Sequence, residues 1–440
     1  MENALERLIR IWQDCTKRYR YKDIAIILFF SKVALTNLFG LVPISKSLIA
    51  FGLLGLIYLF LGLSILKERG SIRIDGIVVI GLTVGIFLGT LKIHPEYRGV
   101  FFDNPQWDIW GNVLNFVSAP FAYYFIRCQK NLKQLEYDFK IIAWINFIGN
   151  SWGFLRPAQQ ETAEEYNMLF GYQIAFPAIL FLMFYLNDRK KTGYLYLSGL
   201  SIALGVFFGS RGCVLGYLCF LVIYMLIVEP GMSRYKLATI IIGCLGALVI
   251  TSKGILRWIY NTAVMFGIES RTLLKLAEGE IADATGRDRI YGVLENGLKR
   301  NSIFTGYGAY GDRYLLNGDY YSHNMIYEIL ITFGLLFGTV LLATLFIFIV
   351  RIFVKHHKHP QFPLFLALIS FSICRLMFSY SFWYEPLLGG AIGIGVTMLQ
   401  SKKSKLKDCS YQIEMSDEDA DLFLDLLGEK IVDEPVEQGG

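Results

Sequence analysis

Residues 324–350 read NMIYEILITFGLLFGTVLLATLFIFIV, a run long enough to cross the hydrocarbon core of a bilayer, which takes about 20 apolar residues in a helix. Runs of this kind recur along the chain. Of its 440 residues 54% are hydrophobic and only 18% charged, against about a quarter charged in soluble domains. The composition excludes a disordered chain, a collagen, a coiled coil and a disulfide scaffold. Long apolar stretches fall at 24–42, 47–66, 74–91, 109–126, 139–155, 169–187, 194–210, 213–228, 237–252, 324–350, 362–380 and 385–399. The expectation is an all-α polytopic integral membrane protein of about 12 transmembrane helices.

Charge orders these spans. Arg69 and Arg73, Arg127 and Lys130, Arg189 to Lys191, Arg234 and Lys236, Arg351 and Lys355, and Lys402 to Lys407 fall in alternate connections, and basic loops stay on the cytoplasmic side. Both termini are then cytoplasmic. The expected organisation is a cytoplasmic segment over 1–23, nine spans over 24–252, one large extracytoplasmic loop over 253–323, three spans over 324–399 and an acidic cytoplasmic tail over 400–440. Basic residues within the long loop do not contradict this, since long translocated loops escape the charge rule. Gly81, Gly85 and Gly89, and Gly334 and Gly338, have the four-residue spacing that lets helices pack closely in lipid. The seven cysteines show no extracytoplasmic disulfide pattern. The net charge of +5 implies no nucleic-acid partner; the bilayer is the partner that the composition demands.

Three familiar patterns carry little. Gly306-Tyr307-Gly308-Ala309-Tyr310-Gly311 matches G-x-G-x-x-G but runs into Asp312-Arg313-Tyr314 rather than a helix of a βαβ unit. The histidines at 356, 357 and 359 sit among basic residues where headgroup contact is the simplest use. Asp417-Glu418-Asp419 lies in a polar tail. No cofactor and no metal site is expected.

Arg, His and Tyr concentrate instead on the extracytoplasmic side. In Gly209-Ser210-Arg211-Gly212 a cation interrupts two spans joined by almost no loop. A guanidinium there needs an anion, a water-filled cavity or a route to the headgroups. Arg287 and Arg289 share one side of an extended segment, or lie about 200° apart on a helix. His323, the long loop's single histidine, stands at the mouth of the tenth span with Glu328 about one turn further on. An unperturbed imidazole, with a pKa near 6.5, can accept a proton at working pH. Arginine forks hold phosphate oxygens, so Arg211, Arg287, Arg289 and His323 together describe a site for a phosphate-bearing substrate. Trp258, Tyr260, Tyr291, Tyr307, Tyr310 and Tyr314 offer stacking faces for sugar rings or helix packing in equal measure.

These residues resemble the O-antigen ligase-like superfamily, which includes lipopolysaccharide O-antigen ligases and the polymerases of O-antigen and capsule repeat units. The resemblance is carried by Gly209-Ser210-Arg211-Gly212, by Gly286-Arg287 followed by Ile303 to Gly308, and by Ser322-His323-Asn324 to Glu328 with Gly334 and Gly338. Asn301 to Thr305 departs from the pattern in lacking a proline before Gly306. The resemblance implies a GT-C-like, metal-independent transferase of a bacterial cytoplasmic membrane. Such an enzyme moves a glycan from undecaprenyl pyrophosphate to an acceptor hydroxyl at the outer face, with a flippase and a chain-length regulator as pathway partners. It casts His323 and Arg211 as catalytic, and Arg287, Arg289, Tyr307, Tyr321 and Asn324 as holding pyrophosphate or glycan. A polymerase of repeat units is the first expectation; a ligase to lipid A core and a multi-span transporter or flippase are the alternatives. Lys32 and Arg375 are the interior charges that a transporter would use, and salt bridging within the bundle is their other use.

Overall fold

The computed structural model describes residues 20–40, 45–68, 72–103, 117–129, 131–154, 168–208, 211–228, 287–300, 304–318 and 320–400, with isolated positions between 257 and 278. Met1–Leu399 forms one compact unit and Gln400–Gly440 a second. The ninth expected span, the first half of the fourth, the 1–19 segment and the tail beyond 400 lie outside the described residues.

Among the described residues every regular element is helical: α1 Tyr21–Phe39, α2 Lys46–Lys67, α3 Ile74–Ile93, α4 Ser118–Cys128, α5 Leu132–Phe154, α6 Met168–Asn187, α7 Gly193–Phe208, α8 Arg211–Ile227, α9 Arg287–Arg300, α10 Gly311–Leu315, α11 Met325–His356, α12 Phe362–Phe378 and α13 Pro386–Gln400. Of the apolar runs that fall among the described residues, most coincide with helices to within a few residues, while α5 begins seven residues before its run and α11 ends six residues beyond its own. Lys46–Lys67, Ile74–Ile93, Phe170–Asn187 and Met325–His356 are each long and apolar enough to cross a membrane, as in a membrane protein. Helix ends follow local chemistry: Ser45 accepts the Leu48 N–H at the start of α2, and prolines open α12 and α13.

The core lies among α1, α4, α5, α6, α8, α12 and α13, where Phe29, Phe30, Phe125, Phe139, Phe181 and Phe365 interlock with aliphatic neighbours. Polar groups tie the helices where lipid would leave them unsatisfied. Arg127 Nε donates to Asp75 at 2.8 Å, and Asn146 Nδ2 of α5 donates to the Phe30 carbonyl of α1 at 3.2 Å. Arg375 of α12 donates to Glu385 at 3.1 Å, salt bridging being the alternative to a transporter's use of that charge. Cys128, Cys213 and Cys374 are buried.

The glycines depart from expectation. A Cβ added at Gly81, Gly85 or Gly89 meets nothing within 4 Å, so this spacing marks no helix contact among the described residues. Gly334 has φ 79° and ψ 167°, a conformation open essentially to glycine alone, and it breaks α11. The carbonyls of Ile331 and Thr332, which a continuous helix would pair with residues 335 and 336, instead accept N–H donors from Tyr307 at 2.7 Å and Gly308 at 3.0 Å. The loop thus enters the helix at its break.

Candidate active site

One end of the bundle gathers the end of α3, the turns at 95–103, the loop at 304–323 and the turn at 379–385. Phe87, Tyr97, Phe101, Tyr310, Trp383 and Tyr384 form an aromatic cluster there. Gly306 abuts the Thr332 carbonyl so closely that any side chain would collide. Ala309 N–H donates to Thr90 Oγ1 at 2.9 Å, and the Tyr310 and Tyr384 hydroxyls share a hydrogen bond. The G-x-G-x-x-G segment is therefore the edge that seats the loop on α3 and α11. A one-turn helix, α10, does follow it, where the sequence reading expected none, but no strand precedes it among the described residues.

Under this edge lies an ion cluster. Asp312, Arg313 and Glu328 are all fully buried. Arg313 Nη1 donates to Asp312 Oδ1 at 2.7 Å and to Glu328 Oε1 at 2.9 Å. Glu328 also accepts the Ser381 hydroxyl and, at 2.9 Å, the Phe382 N–H. The Tyr310 and Tyr384 rings lie 4.4 and 5.6 Å from the guanidinium carbon, and burial drives the Tyr310 hydroxyl up to about 12. Adjacent opposite charges in a loop read as a solvated pair; burial by three separate chain segments is what makes these internal, and the sequence reading passed over Asp312 and Arg313.

His323 has φ 51°, left-handed backbone that a histidine adopts only when held. Its ring lies 3.8 Å from that of Tyr321, whose hydroxyl donates to the Ser379 carbonyl. Its Nδ1 is buried and has no hydrogen-bond partner among the described residues. The expectation of an ordinary imidazole is corrected. Burial first, then the charge of Arg287, with a smaller push from Arg313, lower its pKa to about 4 against the pull of Asp312. At neutral pH the ring is uncharged and weakly basic.

The other residues singled out in the sequence fall into three groups. Arg287 opens α9, half-buried, and its charge acts on His323. Arg211 opens α8; its side chain lies outside the described residues, but the next residue, Gly212, abuts the Tyr172 hydroxyl, which hydrogen-bonds Ser379 Oγ at 3.1 Å. Arg211, Arg287, His323 and Tyr321 therefore start from one neighbourhood. Arg289 is exposed and, two residues along a helix, turns well away from Arg287. Tyr307 and Asn324 have structural engagements that the ligand-binding expectation did not include. The Tyr307 hydroxyl donates to the Gly297 carbonyl of α9, and Asn324 Oδ1 accepts the Ile326 N–H at 2.9 Å as the cap of α11. Of the stacking candidates, Tyr310 is wholly buried, Tyr291 stacks on Tyr327, and Tyr314 stacks on Tyr97 while still exposed.

The described residues bring no three His, Cys, Asp or Glu side chains together as metal ligands. No protein-family profile, curated protein or solved structure matches the chain.

Proposed function

We propose that this chain is a membrane glycosyltransferase that polymerises oligosaccharide repeat units carried on undecaprenyl pyrophosphate, at the outer face of a bacterial cytoplasmic membrane. The observation that carries the reading is a buried imidazole nitrogen, His323 Nδ1, with no hydrogen-bond partner among the described residues and within reach of the charge of Arg287. The start of α8 is linked to the same turn through Gly212, Tyr172 and Ser379. In the proposed reaction the acceptor hydroxyl attacks the anomeric carbon of the donor glycan. The anomeric C–O bond breaks and its electron pair leaves with the pyrophosphate, whose growing charge Arg211 and Arg287 stabilise. The hydroxyl proton passes to His323. A pyrophosphate beside Arg287 offsets the charge that depresses the imidazole, so His323 becomes a better base with the donor in place. Metal independence belongs to the family resemblance and is part of the proposal.

A second reading, a transporter, draws on the break in α11, since transporter sites are built on discontinuous helices. Here Tyr307 and Gly308 occupy the freed carbonyls, and Arg313 and Arg375 are paired with carboxylates, which favours a seated loop over an open ion site.

The test is chain extension of a purified lipid-linked repeat unit by the purified protein in EDTA. The expected product is a ladder of longer glycans, abolished by Arg211→Ala and partly restored by Arg211→Lys, which keeps charge without the bidentate fork. Lipid A core offered as acceptor distinguishes a ligase. Donor that stays a single unit with either acceptor sinks the reading.

A further inference from the structure

The buried ion cluster has a direction. Asp312 divides its carboxylate: Oδ1 receives Arg313, and Oδ2 receives the Ser322 N–H at 2.9 Å, one residue before His323. Glu328 grips Arg313 from one turn inside α11 and is itself fixed by the turn at Ser381 and Phe382. The contacts therefore run from that turn through Glu328, Arg313 and Asp312 into the backbone beside the imidazole. All three charged side chains are fully buried, so none meets a substrate. Removing such charges from water is costly unless each is answered, and here the answer ends at the peptide that must turn left-handed. Neighbouring anchors hold either side of that turn: the Tyr321 hydroxyl on Ser379, and Asn324 capping α11.

We propose that Asp312 is a positioning residue, which fixes the left-handed turn at His323 through the Ser322 N–H while Arg313 and Glu328 hold its carboxylate in place. The imidazole then faces the acceptor with its ring against Tyr321 instead of swinging into solvent. The inference rests on His323 as the proton acceptor, but the turn is observable without turnover.

The experiment treats the purified full chain at pH 7.5 with diethyl pyrocarbonate, and follows His323 and the partly exposed His94 peptide by peptide in mass spectra. At that pH the wild-type His323 ring is uncharged, and loss of the Asp312 charge only strengthens that, so its rate of modification reports access. Wild-type His323 is expected to react more slowly than His94, and Asp312→Asn to raise its rate about tenfold while kcat for chain extension falls about 10²-fold, as misplacement by an ångström does. The donor KM should stay within about twofold, because the arginines that hold the donor are untouched. Asp312→Glu keeps the buried charge but shifts the carboxylate by a methylene; it should show the same pattern more weakly, and it carries the test if the asparagine variant does not accumulate. Unchanged His323 reactivity in these variants overturns the proposal, whether or not kcat falls. Raised reactivity in a protein whose wild type never extends a glycan supports the positioning role and removes the polymerase reading alone.

Discussion

The two halves of α11, on either side of Gly334, have similar hydropathy and opposite surroundings. Residues 325–333 hold Glu328 at 0% exposure, with Met325, Ile329 and Ile331 also buried. Residues 335–356 turn Leu336, Phe337, Leu341 and Phe346 outward, Phe346 to 68%. The second half needs only a solvent that tolerates apolar side chains. The first half needs particular partners, since its carboxylate is stable only while Arg313, Ser381 and Phe382 face it. Hydropathy therefore locates such a helix but says nothing about which part carries chemistry.

The largest expected difference between the halves comes from Glu328→Ala. It strands part of the Arg313 charge and should lower stability by about 3–5 kcal/mol, measured as thermal unfolding of the detergent-solubilised protein. A loss no larger than that of a surface substitution would mean that the cluster is not closed. Next is Gly334→Ala, which forces a side chain into φ 79° with its Cβ 2.9 Å from the Thr305 carbonyl carbon. Its expected cost is about 2 kcal/mol, with faster proteolysis of the 304–308 segment as the loop leaves the break.

A third measurement concerns the turn that precedes the first half. The folded protein lowers the pKa of His323 to about 4, from about 6.5 in the unfolded chain. The unfolded state thus binds the proton more readily, and stability is full above pH 6.5 and lost as pH falls towards 4. Between pH 7 and pH 5 the wild type should lose about 1–2 kcal/mol more than His323→Gln; equal losses would place the imidazole in water. The smallest effect is expected from Phe346→Ala in the second half, within about 0.5 kcal/mol as for surface positions. A larger loss would reveal a neighbour packed on that face.

How much of this was legible in the sequence depended on whether the signal was local. Apolar runs and their ends are local, and α1, α2, α3, α6 and α12 begin and end close to where hydropathy and flanking charges place them. The Asn324 cap was legible too, since an asparagine ahead of a long apolar run is a start signal, though it was read as a ligand contact. The break at Gly334 was hidden because the apolar run passes through it, and its cause lies in Tyr307 and Gly308, far back in the sequence. Asp312 and Arg313 were hidden for the same reason. Their burial depends on Glu328 and on the 381–382 turn, and no periodicity within the loop records those contacts. Arg211 and His323 stood out because a cation between two nearly abutting spans and the long loop's single imidazole at the mouth of the next are visible one residue at a time, and Arg287 because it stands two residues from Arg289.

The break also sets a height. From Leu335 to Val350, the last residue before Arg351, the helix runs about 24 Å at 1.5 Å per residue, short of the roughly 30 Å of a bilayer's hydrocarbon; α2, from Lys46 to Lys67, reaches about 33 Å. A bilayer seated on that stretch would therefore also take in part of residues 325–333, whose carboxylate at Glu328 is closed off by Arg313, Ser381 and Phe382 rather than by water. A thicker membrane would draw that junction inward and tilt the helix. In such a bilayer the length of chain after one glycine would set how deep that carboxylate lies.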